Sequence, residues 1–195
     1  MLEKFQIYLK ERLSITDEQA QEATSCLKSK SFKKGDVLLS AGDLRSDNYF
    51  INDGLLRYFS IDEKGKEHII QFAPENWMVS DRNTSVFKEP SVFYIDAIEN
   101  TEVLIIPSHF FADIKKLLPN ILELNILMLH NSIRFMQKRI NMLLSATAEE
   151  RYLDFIKLYP NLTLRVPQWM IASYLGITPE SLSRVRKDLA KKHFK

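Results

Sequence analysis

The polar residues whose pattern points most clearly to a chemical role lie near the C-terminus. Gly176 divides this part of the chain into two stretches with helical periodicity, because glycine readily takes the left-handed conformation that ends a helix. Thr178 is suited to cap the second stretch, and Pro179 fits its first helical position. The sequence therefore predicts one helix over residues 168–175 and a second helix from Pro179 to about residue 192.

The apolar residues of these two stretches fall where a helix-turn-helix needs buried contacts. Ala172 is small enough to let the helices approach closely, and Gly176 follows it by four residues. The remaining predicted contacts are apolar: Ile171, Leu175, Ile177, Leu182, Val185 and Leu189. With these residues buried, four polar residues are left on the outer face of the second helix: Glu180, Ser181, Arg184 and Lys187.

The four outer residues carry the groups that read base edges in the major groove of duplex DNA. Arg184 can donate to O6 and N7 of a guanine, Glu180 can accept from N4 of a cytosine, and Ser181 can bond to a base or a phosphate. Nearby basic residues are better placed for phosphates: Arg165, Arg186, Lys191 and Lys192. The pattern therefore predicts a DNA-reading helix.

The charge distribution favours a polyanionic partner at this end of the chain. Residues 165–195 include seven basic and two acidic side chains, a net charge of +5, which leaves −3 for the rest of a chain whose total is +2. A basic end on a faintly acidic body is typical of nucleic-acid binding. Charge alone fits a solvated, lysine-rich tail equally well, and the alternative for the whole segment is a plain helical hairpin with a charged outer face.

The elements that would carry this helical end begin with a β region from Ser31 to Pro107. Strand-forming segments recur at 37–39, 48–51, 55–59, 68–72 and 102–106. Turn signals rich in Gly, Asn and Asp separate them at 34–36, 41–43, 52–54 and 62–65. Many short strands at close spacing predict a closed or sandwiched β unit. The stretch 1–13 predicts an amphipathic helix rather than a secretory signal.

A long helix is predicted after Pro119, because residues 120–159 contain neither glycine nor proline. Apolar residues follow one another there at alternating spacings of four and three, the heptad pattern of a helical seam: Leu122, Ile126, Leu129, Ile133, Met136, Ile140 and Leu143. Further apolar residues widen this surface: Ile121, Leu124, Leu127, Met128 and Phe135. Two interpretations stay open, a contact with the β region of the same chain and a coiled-coil contact with a second copy. A helix that makes both contacts explains the width of this apolar surface.

A short connecting region lies between the long helix and the C-terminal pair of helices. It begins with a helical segment over 149–159. A strand-like stretch over 162–166 then follows, bounded by Pro160 and Pro167. The sequence therefore predicts a short strand just ahead of the first helix of the pair.

In this order of elements, the chain resembles the Crp/Fnr family of bacterial regulators from Phe32 to Lys192. The N-terminal segments that carry the resemblance are KKGDVLLSAGD, at 33–43, and YFINDGLLRYFSIDEKGKEHII, at 49–70. The glycines at the turns of the β roll in these segments are Gly35, Gly42 and Gly54.

The second C-terminal helix carries the rest of the resemblance. Its segment PESLSRVRK is similar to the family pattern of an arginine, a glutamate and a second arginine four residues beyond the glutamate. Glu180 and Arg184 match the glutamate and the second arginine. Pro179 stands where the first arginine would be, so the family's usual target sequence does not carry over to this chain.

The resemblance implies an α+β fold in three parts. Residues 1–117 would form a double-stranded β-helix, or jelly roll, of the cyclic-nucleotide-binding type. Residues 118–147 would form a long dimerisation helix, and residues 148–195 a C-terminal winged helix-turn-helix. The implied function is that of a homodimeric transcription regulator. Its implied partners are duplex DNA with a pseudo-palindromic site, a second copy of the chain, RNA polymerase and an unidentified small-molecule effector, with no cofactor and no membrane.

The segment that would hold an effector departs from the family's cyclic-AMP binders. Those proteins carry a Gly-Glu-Leu segment and, shortly after it, an Arg-Ser pair whose arginine neutralises the phosphate. Here WMVSDR, at 77–82, and Ser91-Val92 occupy these places, so both the glycine and the phosphate arginine are missing. The residues left in the corresponding effector pocket are Asp81, Arg82, Ser91, Met136 and Gln137. We therefore expect no tight binding of cyclic AMP.

The remaining composition argues against several other classes of protein. Cys26 is the single cysteine, which excludes an intrachain disulfide and a cysteine-ligated cluster, and we expect it to be a small packing residue. The histidines are scattered, and no catalytic triad, metal-ligand cluster or phosphate-binding glycine loop is evident, so we do not expect an enzyme. No apolar run is long enough to span a bilayer, and the chain fits the cytoplasm. The alternative function is a signalling module that binds a cyclic-nucleotide-like or other anionic ligand without direct DNA readout.

Overall fold

The computed structural model describes residues 2–193, with side chains up to Lys192. The chain forms two compact units. The first comprises the residues up to Ile61 together with Ile70–His130, and the second comprises Asp62–Ile69 and the residues from Asn131 onward. Lys195, which contributes to the basic C-terminal charge, lies outside the described residues. Every helix within residues 2–193 is too short or too polar to span a lipid bilayer.

The predicted N-terminal helix is present as α1 (Glu3–Leu13), and Met1 lies outside the described residues. Phe5 and Leu9 of α1 are buried four residues apart, so one face of the helix contacts the core. A second helix, α2 (Asp17–Thr24), follows after a short connection and begins with a capping box.

The prediction that Cys26 is a packing residue is wrong, because its side chain is exposed. Cys26 lies in the turn that follows α2. Its neighbours Thr24 and Leu27 are buried and occupy the interior at this point, which leaves Cys26 facing solvent.

Eight strands among the described residues form two four-stranded sheets. In chain order they are β1 (Lys28–Phe32), β2 (Val37–Leu39), β3 (Asn48–Asp53), β4 (Leu56–Ile61), β5 (Glu67–Ala73), β6 (Met78–Val79), β7 (Tyr94–Ala97) and β8 (Thr101–Ile106). One sheet has the order β1-β8-β3-β6 and the other β2-β7-β4-β5. This is the strand order of an eight-stranded jelly roll, which confirms the predicted double-stranded β-helix.

The alternation of side chains along β3 divides the core of the first unit into two apolar clusters. Tyr49 and Ile51 point into a cluster that contains residues of both sheets, among them Leu56 and Ile95. Phe50 points the other way, into a cluster with Phe5 and other residues of the flanking helices. The ring centroids of Phe5 and Phe50 are 5.1 Å apart. The strand therefore packs on both faces.

Three strands were not expected from the sequence: β1, β6 and β7. β1 alternates lysine and serine, because it is an edge strand, paired with β8 alone among the described strands, and keeps most of its side chains exposed. β6 has two residues, and β7 has four. Strands this short carry too little periodicity to be recognised, and partners far away in the chain determine their pairing.

Gly54, one of the expected turn glycines, occupies a position that no larger residue fits. Its φ is +91°, and a Cβ there would lie 2.6 Å from the carbonyl oxygen of Asn100. The next residue, Leu55, donates its backbone N–H to Oγ1 of Thr101 at 3.0 Å. The turn between β3 and β4 is therefore held directly against the turn that precedes β8.

After β8 the described chain is helical. Its helices are α3 (Phe110–Asp113), α4 (Ile121–Ser145), α5 (Ala148–Leu158), α6 (Leu162–Arg165), α7 (Gln168–Leu175) and α8 (Pro179–His193), with a 3-10 turn at Ile114–Lys116. The predicted long helix is present as α4. It ends where the capping box of Thr147 and Glu150 begins α5. The predicted C-terminal pair is present as α7 and α8.

The predicted strand over 162–166 is wrong, because these residues form the single helical turn of α6 and its end. Leu162 and Val166 are buried, whereas Leu164 is 89% exposed. The N–H of Val166 donates to the carbonyl of Leu162 at 3.0 Å, so the segment satisfies its backbone locally and needs no partner strand. No strand follows Ile106 within residues 2–193, so the wing that the resemblance implied is absent from the described part of the chain.

Candidate functional site

The turn between α7 and α8 has the geometry of a Schellman motif. Ile177 donates its backbone N–H to the carbonyl of Ala172 at 3.0 Å, and Gly176 donates to that of Ser173 at 3.1 Å. Gly176 has a φ of 65°, which confirms the predicted left-handed glycine. A Cβ at Gly176 would lie 3.1 Å from Cδ2 of Leu143. The turn therefore ends α7 at a fixed residue and sets the direction in which α8 leaves.

The packing beneath this turn agrees with the predicted helix-turn-helix. Ala172 is 1% exposed and Leu182 is 0% exposed, so the two helices meet without solvent between these residues. The other expected contacts are buried or half-buried: Ile171, Leu175, Ile177, Val185 and Leu189. The inner face of α8 is therefore fixed, which leaves its other faces available for contacts.

A cluster of three aromatic rings supports α7. The ring centroids of Phe155, Tyr159 and Tyr174 lie 5.3 to 5.8 Å apart, within the range of favourable ring pairs. All three residues are buried. Because Phe155 belongs to α5 and Tyr174 to α7, the cluster holds these two helices together.

Thr178 caps α8, as predicted. Ser181 donates its backbone N–H to Oγ1 of Thr178 at 3.3 Å, and Leu182 donates to the Thr178 carbonyl at 3.0 Å. The hydroxyl oxygens of Thr178 and Ser181 also lie within hydrogen-bonding distance of each other, at 3.2 Å. Ser181 is half-buried, and its backbone N–H and its hydroxyl both lie against Thr178. Part of its hydrogen-bonding capacity is therefore already used in the cap.

Three of the predicted DNA-binding residues line the exposed face of α8, and we call Glu180, Arg184 and Lys187 the outer stripe. They are exposed and spaced four and three residues apart, which aligns them on one side of the helix. The buried Leu182 is two residues from Glu180, about 160° around a helix of 3.6 residues per turn. The outer stripe therefore points directly away from the protein core.

The carboxylate of Glu180 lies at the start of α8. Its own backbone N–H and the Thr178 hydroxyl hold the pKa of the Glu180 carboxyl below its usual range, and the nearby Arg184 lowers it further. The first turn of a helix favours negative charge for the same electrostatic reason. Glu180 is therefore ionised at neutral pH and acts as a hydrogen-bond acceptor only.

The basic residues expected at phosphates are in different surroundings. Arg186 is exposed beside the outer stripe, and Arg165 is half-buried on α6. Lys192 forms a salt bridge with Glu149, with an Nζ–Oε1 distance of 2.7 Å that joins the end of α8 to the start of α5. Arg186 is thus available for a new partner, whereas Lys192 already has one.

Ser183 is an exposed residue of α8 that the sequence analysis missed. It follows Glu180 by three residues, which places it beside the outer stripe. This spacing was the signal that could have identified it. A serine hydroxyl can donate to or accept from a base or a phosphate.

The predicted heptad seam is exposed along the whole of α4. Its seven apolar side chains are between 39% and 56% exposed: Leu122, Ile126, Leu129, Ile133, Met136, Ile140 and Leu143. By contrast, Ile121 and Leu124 are buried in the cluster that contains Phe50, and Met128 packs against it. The expected contact of α4 with the β region is therefore confirmed, and it leaves the seam uncovered.

Asp81, the acidic residue of the expected effector pocket, is buried with an exposed fraction of 3%. Its Oδ1 accepts from the Tyr58 hydroxyl and from the backbone N–H of Asn83, each at 3.2 Å. Its Oδ2 is buried and has no hydrogen-bond partner among the described residues. Burial, followed by the charge of Asp81, raises the pKa of Tyr58. The carboxylate therefore takes part in the local structure of the β roll.

The other residues of the expected effector pocket are divided between the two units. Ser91 is buried and exchanges hydrogen bonds with the backbone of Phe93, and Arg82 is exposed. Met136 and Gln137 are exposed on α4 and belong to the second unit. The grouping of these residues into one pocket stays a prediction. Within residues 2–193, no three histidine, cysteine, aspartate or glutamate side chains come together as a metal site would require.

Comparison with protein families identifies the β roll. Residues 29–116 match the family model described as a cyclic nucleotide-binding domain. The match extends from β1 to the 3-10 turn that follows α3.

The chain is also similar to curated regulatory proteins. It is 28% identical over 167 residues to the "Anaerobic regulatory protein" of Haemophilus influenzae, covering 80% of this chain and 64% of that protein. It is 29% identical over 170 residues to the "Fumarate and nitrate reduction regulatory protein" of Yersinia pestis, covering 80% of this chain and 66% of that protein. The matched region spans less than two thirds of the length of these relatives.

Two solved structures illustrate the fold. FixK2 from Bradyrhizobium japonicum matches with a TM-score of 0.74 and 18% identity, over 86% of each chain. The Thermus thermophilus Catabolite Activator Protein matches with a TM-score of 0.56 and 19% identity, over 92% of this chain and 85% of that chain. At these identities the likeness concerns the fold alone.

Proposed function

We propose that this chain is a member of the Crp/Fnr family and a sequence-specific DNA-binding transcription regulator that acts as a homodimer. The observation that carries the proposal is the outer stripe of α8, which projects from the second helix of a capped helix-turn-helix whose inner face is buried. A helix presented in this way fits the major groove of B-DNA. The names of the curated relatives, which describe regulatory proteins, support the same function.

In this proposal the N-terminal half of α8 reads base edges. Arg184 donates to O6 and N7 of a guanine, and the ionised Glu180 accepts from N4 of a cytosine. Lys187 extends the contact along the groove, and Ser181 reaches a base or phosphate from its place in the cap. Residues 165 and 186, both arginines, orient the protein by binding phosphates, which carry no sequence information themselves.

The seam supplies the contact between two copies. Seven large apolar side chains exposed along one helix form an unfavourable surface in water, and heptad spacing is the pattern by which such helices pair. A two-fold pair of helix-turn-helix units reads two half-sites about 34 Å apart, so the DNA site is pseudo-palindromic. We further propose RNA polymerase as a protein partner and the cytoplasm as the place of action.

We also propose that the β roll does not bind cyclic AMP tightly. Asp81, the acidic residue in the stretch that corresponds to the nucleotide-binding segment of the family, is buried, and its Oδ1 already accepts hydrogen bonds from Tyr58 and Asn83. The phosphate arginine is replaced, and Arg82 is exposed. Loss of a desolvated charge pair of this kind costs about 2–5 kcal/mol of binding free energy.

A second candidate function is a signalling module that binds a ligand in the β roll without reading DNA. One observation favours it: the family model matches residues 29–116 and none of α5 to α8. In that case the exposed face of α8 would contact another protein. The two functions differ in whether the chain selects a DNA sequence.

The experiment that tests the proposal is selection of bound DNA from a pool of random duplexes, followed by gel shifts with the selected site at several salt concentrations. We expect a pseudo-palindrome to be enriched. For six to ten phosphate contacts, we expect affinity to fall by about 10³- to 10⁵-fold between 50 and 200 mM salt. Recovery of no preferred sequence would contradict the proposal and favour the signalling module.

Sedimentation of the free protein tests the homodimer separately. We expect the unmodified chain to sediment as a dimer and Ile133→Lys to sediment as a monomer, because a lysine at the seam would be buried without a partner. Asn141→Lys adds the same charge at an exposed position of α4 outside the seam and is the matched control. A monomeric unmodified chain, or a dimeric Ile133→Lys variant, would contradict the proposed seam.

A further inference from the structure

We propose that the second unit binds a small organic anion with an apolar body, in a cavity between α4, α5 and α7. The cavity has a volume of about 390 Å³, within the range of small-molecule sites in proteins. All of its lining residues lie between Asn131 and Leu175. Neither the outer stripe nor the expected effector pocket of the β roll contributes to it.

The lining of the cavity combines apolar and cationic side chains. The apolar and aromatic residues include Phe135, Met142, Phe155, Leu158, Tyr174 and Leu175. The charged residues are Arg134, Lys138, Arg139, Arg151 and Asp154, an excess of three positive charges. An apolar body is removed from water against the first set, and the second set favours a negatively charged group.

Two of the four cations are already engaged within the protein. Lys138 forms a salt bridge with Asp154, which neutralises both. The guanidinium of Arg139 lies 3.6 Å from the ring centroid of Tyr174, in a cation–π contact. These two cations contribute to the walls of the cavity rather than to the capture of a ligand.

The other two cations form no ion pair among the described residues. Arg151 donates through Nη1 to the carbonyl of Leu175 at 2.7 Å, but its Nε is buried and has no hydrogen-bond partner among the described residues. A buried N–H without an acceptor is unfavourable, and a carboxylate oxygen would satisfy it. Arg134 is exposed and donates to the neutral side-chain amide of Asn131 at 3.0 Å, so its charge also favours an anion.

The cavity lies on the side of α4 away from the seam. Phe135 follows Ile133 by two residues, and Met142 follows Ile140 by two, an offset of about 160° around the helix. A second copy that covers the seam would therefore leave this side of α4 accessible. Leu143 alone belongs to both the seam and the cavity lining.

A ligand in this cavity would contact α5 and α7, which pack together through Phe155 and Tyr174. Because α8 follows α7 after the Gly176 turn, occupancy would influence the DNA-reading helix; this consequence rests on the proposed function. The binding itself does not depend on DNA.

Calorimetry of the full chain without DNA tests the site, with octanoate as the probe. We expect saturable binding of octanoate. We expect octan-1-ol, which has the same apolar body without charge, to bind roughly tenfold more weakly, because it loses the charge-assisted hydrogen bonds. We expect no binding of octylammonium, whose charge the cations repel. Absence of octanoate binding, or equal affinity for octanoate and octan-1-ol, would overturn the proposal.

Variants then locate the site. We expect Met142→Trp to abolish octanoate binding by filling the cavity, and Arg134→Glu to weaken it roughly tenfold. Lys157→Glu makes the same charge reversal at an exposed position of α5 outside the cavity, and we expect no change. If Met142→Trp does not fold, Arg134→Glu alone tests the location of the site, because a substitution at an exposed side chain should not prevent folding. Unchanged affinity in Arg134→Glu would overturn the assignment. A chain that binds octanoate but no DNA would overturn only the proposed function.

Discussion

The outer stripe of α8 and the surroundings of Asp81 are both polar regions at positions that the family resemblance assigns to ligand contacts. They differ in what the fold leaves for a ligand. Arg184 and Lys187 are exposed on the face of α8 opposite its buried face, whereas Asp81 is buried and accepts hydrogen bonds from Tyr58 and Asn83. A polar residue at a ligand-binding position is thus a stronger candidate contact where the fold leaves it exposed than where the fold buries it.

The two regions should also fail in different ways. The outer stripe depends on packing beneath it, so its support and its contacts can be removed separately. Asp81 accepts hydrogen bonds within the β roll, so its removal should lower the stability of the fold and leave DNA binding intact. Substitutions in each region test this difference.

Leu182→Ala should remove the support of the outer stripe. Because Leu182 is 0% exposed, its truncation leaves a cavity, and we expect the free energy of unfolding of the second unit to fall by about 2–5 kcal/mol. Urea unfolding measures this loss. Leu164→Ala, at a residue that is 89% exposed, is the control and should change the free energy by less than about 0.5 kcal/mol. Equal effects of the two substitutions would show that α8 is not packed as described.

Arg184→Ala should remove a contact of the outer stripe and leave its support in place. We expect affinity for the selected DNA site to fall by about 10- to 100-fold, with relaxed discrimination at one base pair, because a bidentate arginine–guanine contact is lost. Fluorescence anisotropy with labelled duplexes measures both effects. Lys157→Ala removes an exposed positive charge from α5 and is the matched control. Unchanged affinity in Arg184→Ala would place the reading face elsewhere.

Asp81→Ala should affect stability only. The hydroxyl of Tyr58 and the N–H of Asn83 lose their acceptor, and we expect the free energy of unfolding of the first unit to fall by about 1 kcal/mol. DNA affinity should change by less than about twofold, which corresponds to less than RT ln 2. A larger loss of DNA affinity would mean that Asp81 and the outer stripe are coupled.

Asp81→Asn is the matched control for that substitution. Asparagine keeps an acceptor oxygen for both hydrogen bonds but removes the charge. Stability should therefore stay near that of the unmodified chain. Because the charge of Asp81 helps to raise the pKa of Tyr58, that pKa should move back towards its ordinary value of 10.0. Ultraviolet absorbance during an alkaline titration reports the change, and an unaltered Tyr58 titration would contradict the described contact.

Cyclic AMP should have the smallest effect. Calorimetry with the unmodified chain should show no binding at micromolar concentrations, because both the phosphate arginine and the glycine of the nucleotide-binding segment are missing. Binding in the micromolar range would restore the resemblance between this β roll and those of the family's cyclic-AMP binders.

The parts of the fold that the sequence predicted correctly depend on local chemistry. Gly176, Thr178 and Leu182 lie within seven residues of one another, and their types alone specify a helix end, a cap and a buried contact. The outer stripe follows because the face opposite a buried stripe is exposed. The seam was equally clear, since heptad spacing over α4 does not depend on distant residues.

The parts that the sequence did not predict depend on partners that are distant in the chain. β7 pairs with β2 and β4, and neither pairing can be inferred from four residues. The stretch from Leu162 to Val166 resembled a strand, but it has no neighbouring strand among residues 2–193 and closes its own hydrogen bonds instead. The cavity beside α4 was not predicted for the same reason, because its lining comes from three separate helices.

The salt bridge between Lys192 and Glu149 has a consequence for the thermodynamics of DNA binding. A lysine whose counter-charge is a carboxylate of its own chain must exchange that carboxylate for a phosphate when it reaches the backbone. It therefore contributes less to the release of condensed cations than a free lysine does. The slope of log affinity against log salt should accordingly be less steep than it would be if Lys192 were unpaired. Glu149→Gln should steepen that slope by up to about one unit, although the residue itself never contacts DNA.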